Sequence, residues 1–207
     1  MDGMKIGIFG GTFDPPTIAH LNAAKIFIKE LQLDELWFVP AKQNVLKHLA
    51  FASPMQRLEM STLLVEGEEK MCITDIEVNA PGPSYSYNTI KALEYTFPKT
   101  EFWLLGGSDI LTNFTQWHKV EKLVKLCRVG ILLRLPDTMN VVYTRIPNEF
   151  RNVVDIINHP MPDISSTEVR TKMKEGKPVS HLLKPSVYDY IVENQIYSSQ
   201  ETVEAVK

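Results

Sequence analysis

The chain has 207 residues, a length that fits one large domain or one domain with a small appendage. Of these residues 44% are apolar and 23% charged, as is ordinary for a soluble globular protein. Its formal net charge of −3 gives no overall attraction for nucleic acid polymers or anionic membranes, so any phosphate binding must rest on local donors. The sequence shows no signal peptide and no apolar run near the ~18 residues of a membrane span, so we expect a cytoplasmic protein. Cys72 and Cys127 lie in apolar, strand-like runs, which favours buried free thiols over a disulfide or redox pair.

The first half of the chain alternates strand-like and helix-like patterns. Met4–Phe9 is a short apolar run typical of a buried strand, and it stops at Gly10 and Gly11. After a Thr-Phe-Asp-Pro-Pro turn, apolar residues at helical spacing predict a helix over Thr17–Leu31. The same patterns predict strands over Leu36–Val39 and Met71–Ile76 and helices over Met55–Val65 and Tyr85–Phe97. The first of these helices follows the Ser53 cap and Pro54. A polar loop is predicted over Ala41–Ala52.

The second half continues the alternation as far as two C-terminal helices. Glu101–Leu105 predicts a fourth strand that ends in Gly106-Gly-Ser-Asp109, and Ile110–Leu126 is typical of two short helices with a break near residues 116–118. Residues 137–151 have no clear period and are predicted to be irregular, and the last ten residues are expected to fray. Two further strands are predicted over Arg128–Leu133 and Asn152–Ile157, and two C-terminal helices over Thr167–Lys174 and Pro185–Asn194.

Strands that alternate with helices predict an α/β fold, with a doubly wound, mostly parallel, Rossmann-like sheet. We expect one domain over residues 1–197, with a small C-terminal helical part from about residue 164 to 197 and a polar tail at 198–207. In such sheets ligands bind beyond the carboxyl ends of the strands, where the strand order reverses. Three polar segments fall there, Gly10–His20, Lys42–Lys47 and Gly106–Asp109, so a binding site on that rim is predicted.

The segment Gly10–His20 has the features of an anion site. It fits neither the dinucleotide pattern G-x-G-x-x-G nor a P-loop, but glycines followed by a helix N-terminus present unpaired N–H groups to a ligand. His20 follows Thr17 by three residues, so both side chains lie on one face of the first helical turn. Alone, His20 is equally compatible with a packed or capping histidine, whereas the strand, the turn and Thr17 together indicate a phosphate site.

Gly-Gly-Thr-Phe-Asp-Pro followed by Thr17-x-Ala-His20 resembles the signature of the nucleotidyltransferase superfamily with an H-x-G-H or T-x-G-H motif. The later segments resemble the bacterial nicotinate-nucleotide adenylyltransferase family. The matching segments are Gln43–Lys47, Ser53–Glu59, Ser84–Ser86 with Thr89, Gly106–Asp109, Phe114 with Trp117, Asp163–Arg170, and Leu183–Tyr197. Two positions depart from the family pattern, because Thr17 stands where a histidine is more usual and Ala19 replaces a glycine.

The resemblance implies transfer of AMP from ATP to nicotinate mononucleotide, giving deamido-NAD and pyrophosphate in NAD biosynthesis. Such chemistry needs alignment and charge stabilisation rather than a protein base, because the attacking 5′-phosphate is already ionised. Mg²⁺ is expected to arrive with the ATP phosphates. No protein metal site is predicted, since the other histidines have no metal-ligand spacing with each other or with cysteine. The preference for the acid over the amide is implied by the resemblance alone.

The resemblance also implies roles for individual residues. His20, Thr17, Lys47 and Arg170 are the expected catalytic residues, which contact the phosphates. ATP binding is expected at Gly10, Gly11, Thr12, Phe13, Gly106, Asp109, Ser165, Ser166 and Thr167. Nicotinate mononucleotide is expected at Asn44, Tyr85, Ser86, Asp109 and Trp117.

Structural alternatives stay open for several of these residues. Lys47 is also interpretable as a solvated loop lysine, Arg170 as part of a helix-surface ion pair, and Asn44 as a turn residue. Asp109 and the Ser165–Thr167 hydroxyls could cap helices, and Tyr85 and Trp117 could be core or rim aromatics. Two other functions also compete. One is a sister enzyme such as a pantetheine-phosphate adenylyltransferase, which carries the Thr form of the motif, and the other is a nucleotide sensor without catalysis. Assembly into a homo-oligomer is left open.

Overall fold

The computed structural model describes residues 3–43, 50–161 and 164–197. Within these ranges one sheet of six parallel strands has the order β3-β2-β1-β4-β5-β6, so the predicted doubly wound α/β fold is confirmed. The strands are Lys5–Gly11 (β1), Glu35–Pro40 (β2), Met71–Ile73 (β3), Glu101–Gly107 (β4), Arg128–Arg134 (β5) and Val154–Met161 (β6).

Helices connect the strands and complete the C-terminal part. Within the same ranges the α-helices are Ile18–Glu30 (α1), Pro54–Val65 (α2), Ser86–Thr96 (α3), Val120–Leu123 (α4), Met139–Arg145 (α5), Ser166–Lys174 (α6) and Pro185–Glu193 (α7). Shorter 3₁₀ segments occupy Ser108–Gln116, Asn148–Phe150 and Ser180–Leu182. In the described part of the chain, no helix is long and apolar enough to cross a membrane.

The sheet reverses its order at β1, which has β2 on one side and β4 on the other. Ile6 pairs with Glu35 of β2, and Lys5 pairs with Glu101 of β4. From there the chain builds outward to β3 in one direction and to β6 in the other. Because all pairs are parallel, the carboxyl ends of β1 and β4 open together at the point where ligands bind in such sheets.

The core explains why the strands read as apolar runs. Helices cover the sheet, so central strands are buried on both faces: Ile8 and Phe9 of β1, whose side chains point to opposite faces, are only 2% and 8% exposed. Phe27 of α1, Met60 of α2 and Val187 of α7 belong to one buried cluster. The C-terminal helices therefore share the core of the helices and strands that carry the rim.

Three sequence predictions need correction. The third strand ends at Ile73 instead of Ile76, because the chain turns at Asp75, whose carbonyl accepts the N–H of Asn79. Residues 137–151 are ordered into α5 and a 3₁₀ turn instead of being irregular. Cys127 is buried as expected but Cys72, on the edge strand β3, is exposed; both are free thiols.

Candidate active site

The turn after β1 is shaped by a close approach between Gly11 and Phe13. A Cβ on Gly11 would lie 2.8 Å from the Phe13 ring, so any larger residue would force the ring to move. Phe13 adopts a left-handed φ of 51°, which folds its buried ring back under the strand end. A Cβ on Gly10, by contrast, would meet no protein atom within 4 Å, so this exposed glycine leaves its backbone accessible to a ligand.

Thr17 and His20 form a pair at the start of α1. Thr17 is the N-cap residue, is completely buried, and donates its backbone N–H to Nδ1 of His20 at 3.0 Å. Its hydroxyl oxygen lies 2.8 Å from the same nitrogen. Because an amide N–H can only donate, Nδ1 must present its lone pair, and the proton of the neutral ring belongs on Nε2.

Aromatic packing fixes the His20 ring further. The ring is half-buried and meets Phe13 edge-on at 5.2 Å between centroids, with Phe9 at 6.2 Å. The Thr17 contacts and these rings together restrict both the rotation and the tautomer of the imidazole. His20 is thus a preorganised N–H donor at the N-terminus of a helix, where negative charge is favoured.

The structure brings Arg170 to the same turn. Its guanidinium donates from Nη1 to the carbonyl of Asp14 at 2.6 Å and from Nη2 to Oγ1 of Thr167 at 3.1 Å. The Asp14 carboxylate is 3.9 Å away, and the Arg170 side chain is only 17% exposed. Its partner is therefore the β1–α1 turn rather than an ion pair on the helix surface. One face of the guanidinium lies 4.9 Å from the Phe51 ring centroid.

The hydroxyl groups of Ser165 and Ser166, at the start of α6, make different hydrogen bonds. Ser165 caps the helix and accepts the N–H of Glu168 at 3.1 Å, as its capping alternative predicted. Ser166 instead donates to the carbonyl of Pro15 at 2.8 Å, which ties α6 to the β1–α1 turn. The N-termini of α1 and α6 are consequently held against one turn.

Sequence reasoning missed Arg57 as part of the site's framework. This α2 side chain is 1% exposed and donates to four carbonyl oxygens. They belong to three loop segments of the rim: Thr12 after β1, Ala41 and Lys42 after β2, and Ala52 before α2. Burial lowers the pKa of Arg57, and the nearby Asp14 carboxylate opposes that effect. An arginine within the matching segment Ser53–Glu59 was the available signal, but nothing local in the sequence marks it as buried.

Asp109 occupies the first turn of the 3₁₀ segment after β4, beside β1. Its carboxylate is exposed and lies 3.5 Å from Arg134. Gly107, not Asp109, is the cap residue, and a Cβ there would lie 2.6 Å from the Asp109 carboxylate. Gly106 is buried at the end of β4. Asp109 thus presents an exposed carboxylate beside Arg134, just after the carboxyl end of β4.

An aromatic group lies further along the rim. Tyr85 is half-buried and stacks on His118, with ring centroids 4.5 Å apart, directly before Ser86 opens α3. Trp117 is also half-buried and meets Phe114 edge-on at 5.4 Å. Its indole Nε1 is buried without a hydrogen-bond partner among the described residues. Trp117 therefore combines packing against the core with an unused donor.

The loop after β2 joins this aromatic group to the rest of the rim. Ala41 donates its N–H to Gly11, and Lys42 donates its N–H to Oγ of Ser84. Asn44 and Lys47, both predicted to contact substrate, lie outside the described residues. Among the residues that are described, no group of three or more His, Cys, Asp or Glu side chains is placed to hold a metal ion.

Comparison with known proteins identifies the class that this fold and rim define. The cytidylyltransferase-like family matches residues 8–172, and the chain belongs to that family. Within it, the relatives are nicotinate-nucleotide adenylyltransferases. A probable nicotinate-nucleotide adenylyltransferase of Herpetosiphon aurantiacus is 35% identical, over 93% of this chain and 98% of the relative. The corresponding protein of Exiguobacterium sibiricum is 34% identical, over 95% of this chain and 100% of the relative. The predicted family is confirmed.

Solved structures agree on the fold. Plasmodium falciparum nicotinic acid mononucleotide adenylyltransferase in complex with NaAD superposes with a TM-score of 0.76 at 24% identity, over 94% of this chain and 97% of that one. A putative nicotinate-nucleotide adenylyltransferase from Vibrio parahaemolyticus gives a TM-score of 0.67 at 18% identity, over 94% of this chain and 95% of that one. At these identities the likeness concerns the fold.

Proposed function

We propose that this chain transfers AMP from ATP to nicotinate mononucleotide, with release of pyrophosphate and formation of deamido-NAD. The observation that carries the proposal is the near-complete alignment with nicotinate-nucleotide adenylyltransferases, including 34% identity over the full length of one relative. The site supports it independently, because an oriented histidine, an arginine and accessible backbone meet beside an acceptor at the β1–β4 switch point. Residues 1–197 are proposed to act as one domain.

In the proposed reaction, a 5′-phosphate oxygen of nicotinate mononucleotide attacks the α-phosphorus of ATP. A new P–O bond forms while the bond from the α-phosphorus to the bridging oxygen breaks, and that oxygen leaves with pyrophosphate. No proton must be removed from the attacking group, so the site acts by alignment and charge stabilisation. Nε2–H of His20 donates to an α- or β-phosphate oxygen, and Arg170 neutralises charge from the side of α6.

The remaining predicted roles stay proposals for the same rim. Backbone groups of Gly10, Gly11, Thr12 and Phe13 and the hydroxyls of Ser165, Ser166 and Thr167 surround the phosphates. Gly106 and Asp109 face the ribose or base, and Tyr85, Ser86 and Trp117 border the pyridine ring. Asn44 and Lys47, which lie outside the described residues, are proposed to contact the nicotinate mononucleotide and the phosphates, respectively. Mg²⁺ enters as part of the ATP complex, which needs few protein ligands. The cytoplasmic location stays a prediction.

The test measures pyrophosphate release from ATP and Mg²⁺ in the presence of nicotinate mononucleotide, nicotinamide mononucleotide or phosphopantetheine. Release with nicotinate mononucleotide is expected. Release with phosphopantetheine alone would place the chain with the sister enzymes suggested by Thr17, and ATP binding without release would indicate a sensor.

A second arm uses His20→Ala, which should lose most turnover while its folded circular dichroism spectrum is retained. The control is His181→Ala, since His181 is an exposed histidine of the C-terminal part. Near-normal turnover of His20→Ala would remove His20 from the mechanism.

A further inference from the structure

Tyr197, the last residue of the described chain, reaches the first turn of the active site. Its phenol is 6% exposed and its hydroxyl donates to Oδ1 of Asp14 at 2.6 Å, across 183 residues of sequence. Asp14 is itself 4% exposed and lies between the glycine turn and Thr17. The end of the described chain is therefore hydrogen-bonded to the turn from which α1 and His20 start.

The Asp14 carboxylate joins a third segment to this contact. Oδ1 accepts the N–H of Ala52 at 3.0 Å, and Oδ2 accepts the N–H of Phe51 at 2.9 Å. These two residues end the loop that precedes α2. A single buried carboxylate thus fixes the β1–α1 turn, the end of that loop and the C-terminal segment relative to one another.

The surroundings of the contact favour a protonated phenol. Burial and the neighbouring Asp14 charge raise the pKa of Tyr197 far above its ordinary value, so the phenol keeps its proton and donates it. Arg57 and Arg170 both interact electrostatically with this pair. Such a carboxylate has a defined orientation only while its donors are present, because a missing donor leaves a buried lone pair unsatisfied.

Arg170 depends on that orientation. Its Nη1 donates to the Asp14 carbonyl at 2.6 Å and lies 3.9 Å from Oδ2 of the same residue, so both ends of Asp14 contribute to its position. Phe51, whose N–H binds Oδ2, also covers one face of the Arg170 guanidinium. A rotation of the Asp14 side chain would move the carboxylate and the Phe51 backbone that together confine Arg170.

We propose that Tyr197 is a positioning residue for triphosphate binding, and that it acts through Asp14 on Arg170. This inference rests on the proposed function only for its choice of nucleotide. Tyr197 does not touch the substrate. Its hydroxyl holds the Asp14 carboxylate, and Asp14 positions Arg170 through both its carbonyl and its carboxylate. The carboxylate also holds the Phe51–Ala52 backbone beside the proposed phosphate site.

The test compares ATP affinity, measured by calorimetry with the full chain, in four proteins: wild type, Tyr197→Phe, Arg170→Lys and the double variant. Phenylalanine keeps the ring that packs in the core and removes only the donor. Tyr197→Phe is expected to weaken ATP binding about tenfold, the scale of one hydrogen bond to a charged group. In the Arg170→Lys background the same change should cost less than about twofold, because Arg170 is the group through which it acts.

A merely structural anchor would give a different pattern. It would lower the unfolding midpoint without changing ATP affinity, or its effect would be the same in both backgrounds, and either result overturns the proposal. Tyr188→Phe is the matched control, because it removes the same atom from a half-buried tyrosine of α7, and it should leave ATP affinity unchanged. Should the Tyr197→Phe protein unfold, Asp14→Asn measured in the same two backgrounds gives the same test of coupling to Arg170.

The outcome for the proposed function is separate. If the wild type binds ATP but releases no pyrophosphate with nicotinate mononucleotide, the proposed function fails and the coupling between Tyr197 and Arg170 is still decided by calorimetry. A wild-type protein that does not bind ATP overturns both.

Discussion

Thr17 holds Nδ1 of His20 with two groups at once, its backbone N–H at 3.0 Å and its hydroxyl at 2.8 Å. This is one half of a capping box in which a histidine occupies the third helical position. Thr17 is completely buried, so we assign its contribution to the orientation and tautomer of His20. Threonine at this position, where a histidine is more usual, therefore has a structural role: it holds the neutral His20 ring in the form that donates from Nε2.

Thr17→Val should lower kcat about tenfold, because it removes the hydroxyl contact with His20 and preserves the side-chain volume. The backbone N–H contact is retained, which limits the loss. Thr17→Ser should keep most of the activity, since it retains the hydroxyl. Steady-state kinetics with ATP and nicotinate mononucleotide measure both variants, and wild-type turnover in Thr17→Val would contradict the assigned role.

Arg57→Met should lower the free energy of unfolding by about 3 kcal/mol or more. The change leaves four carbonyl oxygens, in two buried and two part-buried contacts, without their donor and removes the positive charge beside Asp14. Urea denaturation measures the difference. The control is Arg128→Met: Arg128 pairs with Asp155 at 2.6 Å, but both side chains are more than a third exposed, so its loss should cost less than about 1 kcal/mol. Equal losses in the two variants would refute a special role for Arg57.

The rim was predictable because its signals are local. An apolar run, two glycines and a capping hydroxyl specify β1, the turn and α1 within a few residues, and Ser53 with Pro54 does the same for α2. Arg57 carried no such signal, because its burial depends on carbonyls from segments up to 45 residues away. The hydrogen bond between Tyr197 and Asp14 joins residues 183 positions apart, so no local pattern could predict it either.

The helix α5 shows a second limit of sequence reasoning. It has only seven residues and buries one of them, Val142, so no helical period is visible in 137–151. Its stability comes from Thr138 at the N-cap and from the ion pair of Arg145 with Asp137 at 2.7 Å. Asp137 in turn accepts the hydroxyl of the fully buried Ser108, next to Asp109. Tertiary contacts thus order a segment whose sequence lacks a period.

Trp117→Phe should raise the KM for nicotinate mononucleotide several-fold and change the free energy of unfolding by less than about 1 kcal/mol. The small effect on stability is expected because the indole N–H has no acceptor among the described residues. Trp37→Phe is the matched control, since its indole binds Glu35 at 2.7 Å on β2. In that variant KM should be unchanged. An unchanged KM in Trp117→Phe would confine Trp117 to a core role.

Glu77→Gln should change the pH dependence of stability. Burial raises the pKa of Glu77 above its ordinary value of 4.5, and this effect exceeds that of the hydrogen bonds with Thr89 and Ser84. The folded protein therefore binds this proton more tightly than the unfolded chain. Its stabilising contribution is complete below pH 4.5 and is lost as the pH rises through the raised folded value.

Glutamine stays neutral and can still accept the hydroxyl of Thr89, which the carboxyl accepts at 2.6 Å. The stability of Glu77→Gln relative to wild type should consequently increase between about pH 4.5 and pH 7, measured by urea unfolding at several pH values. Glu94→Gln, an exposed carboxyl of α3, is the matched control for the loss of one charge. If the stability curves of Glu77→Gln and wild type run parallel over this range, Glu77 is not the group that titrates there.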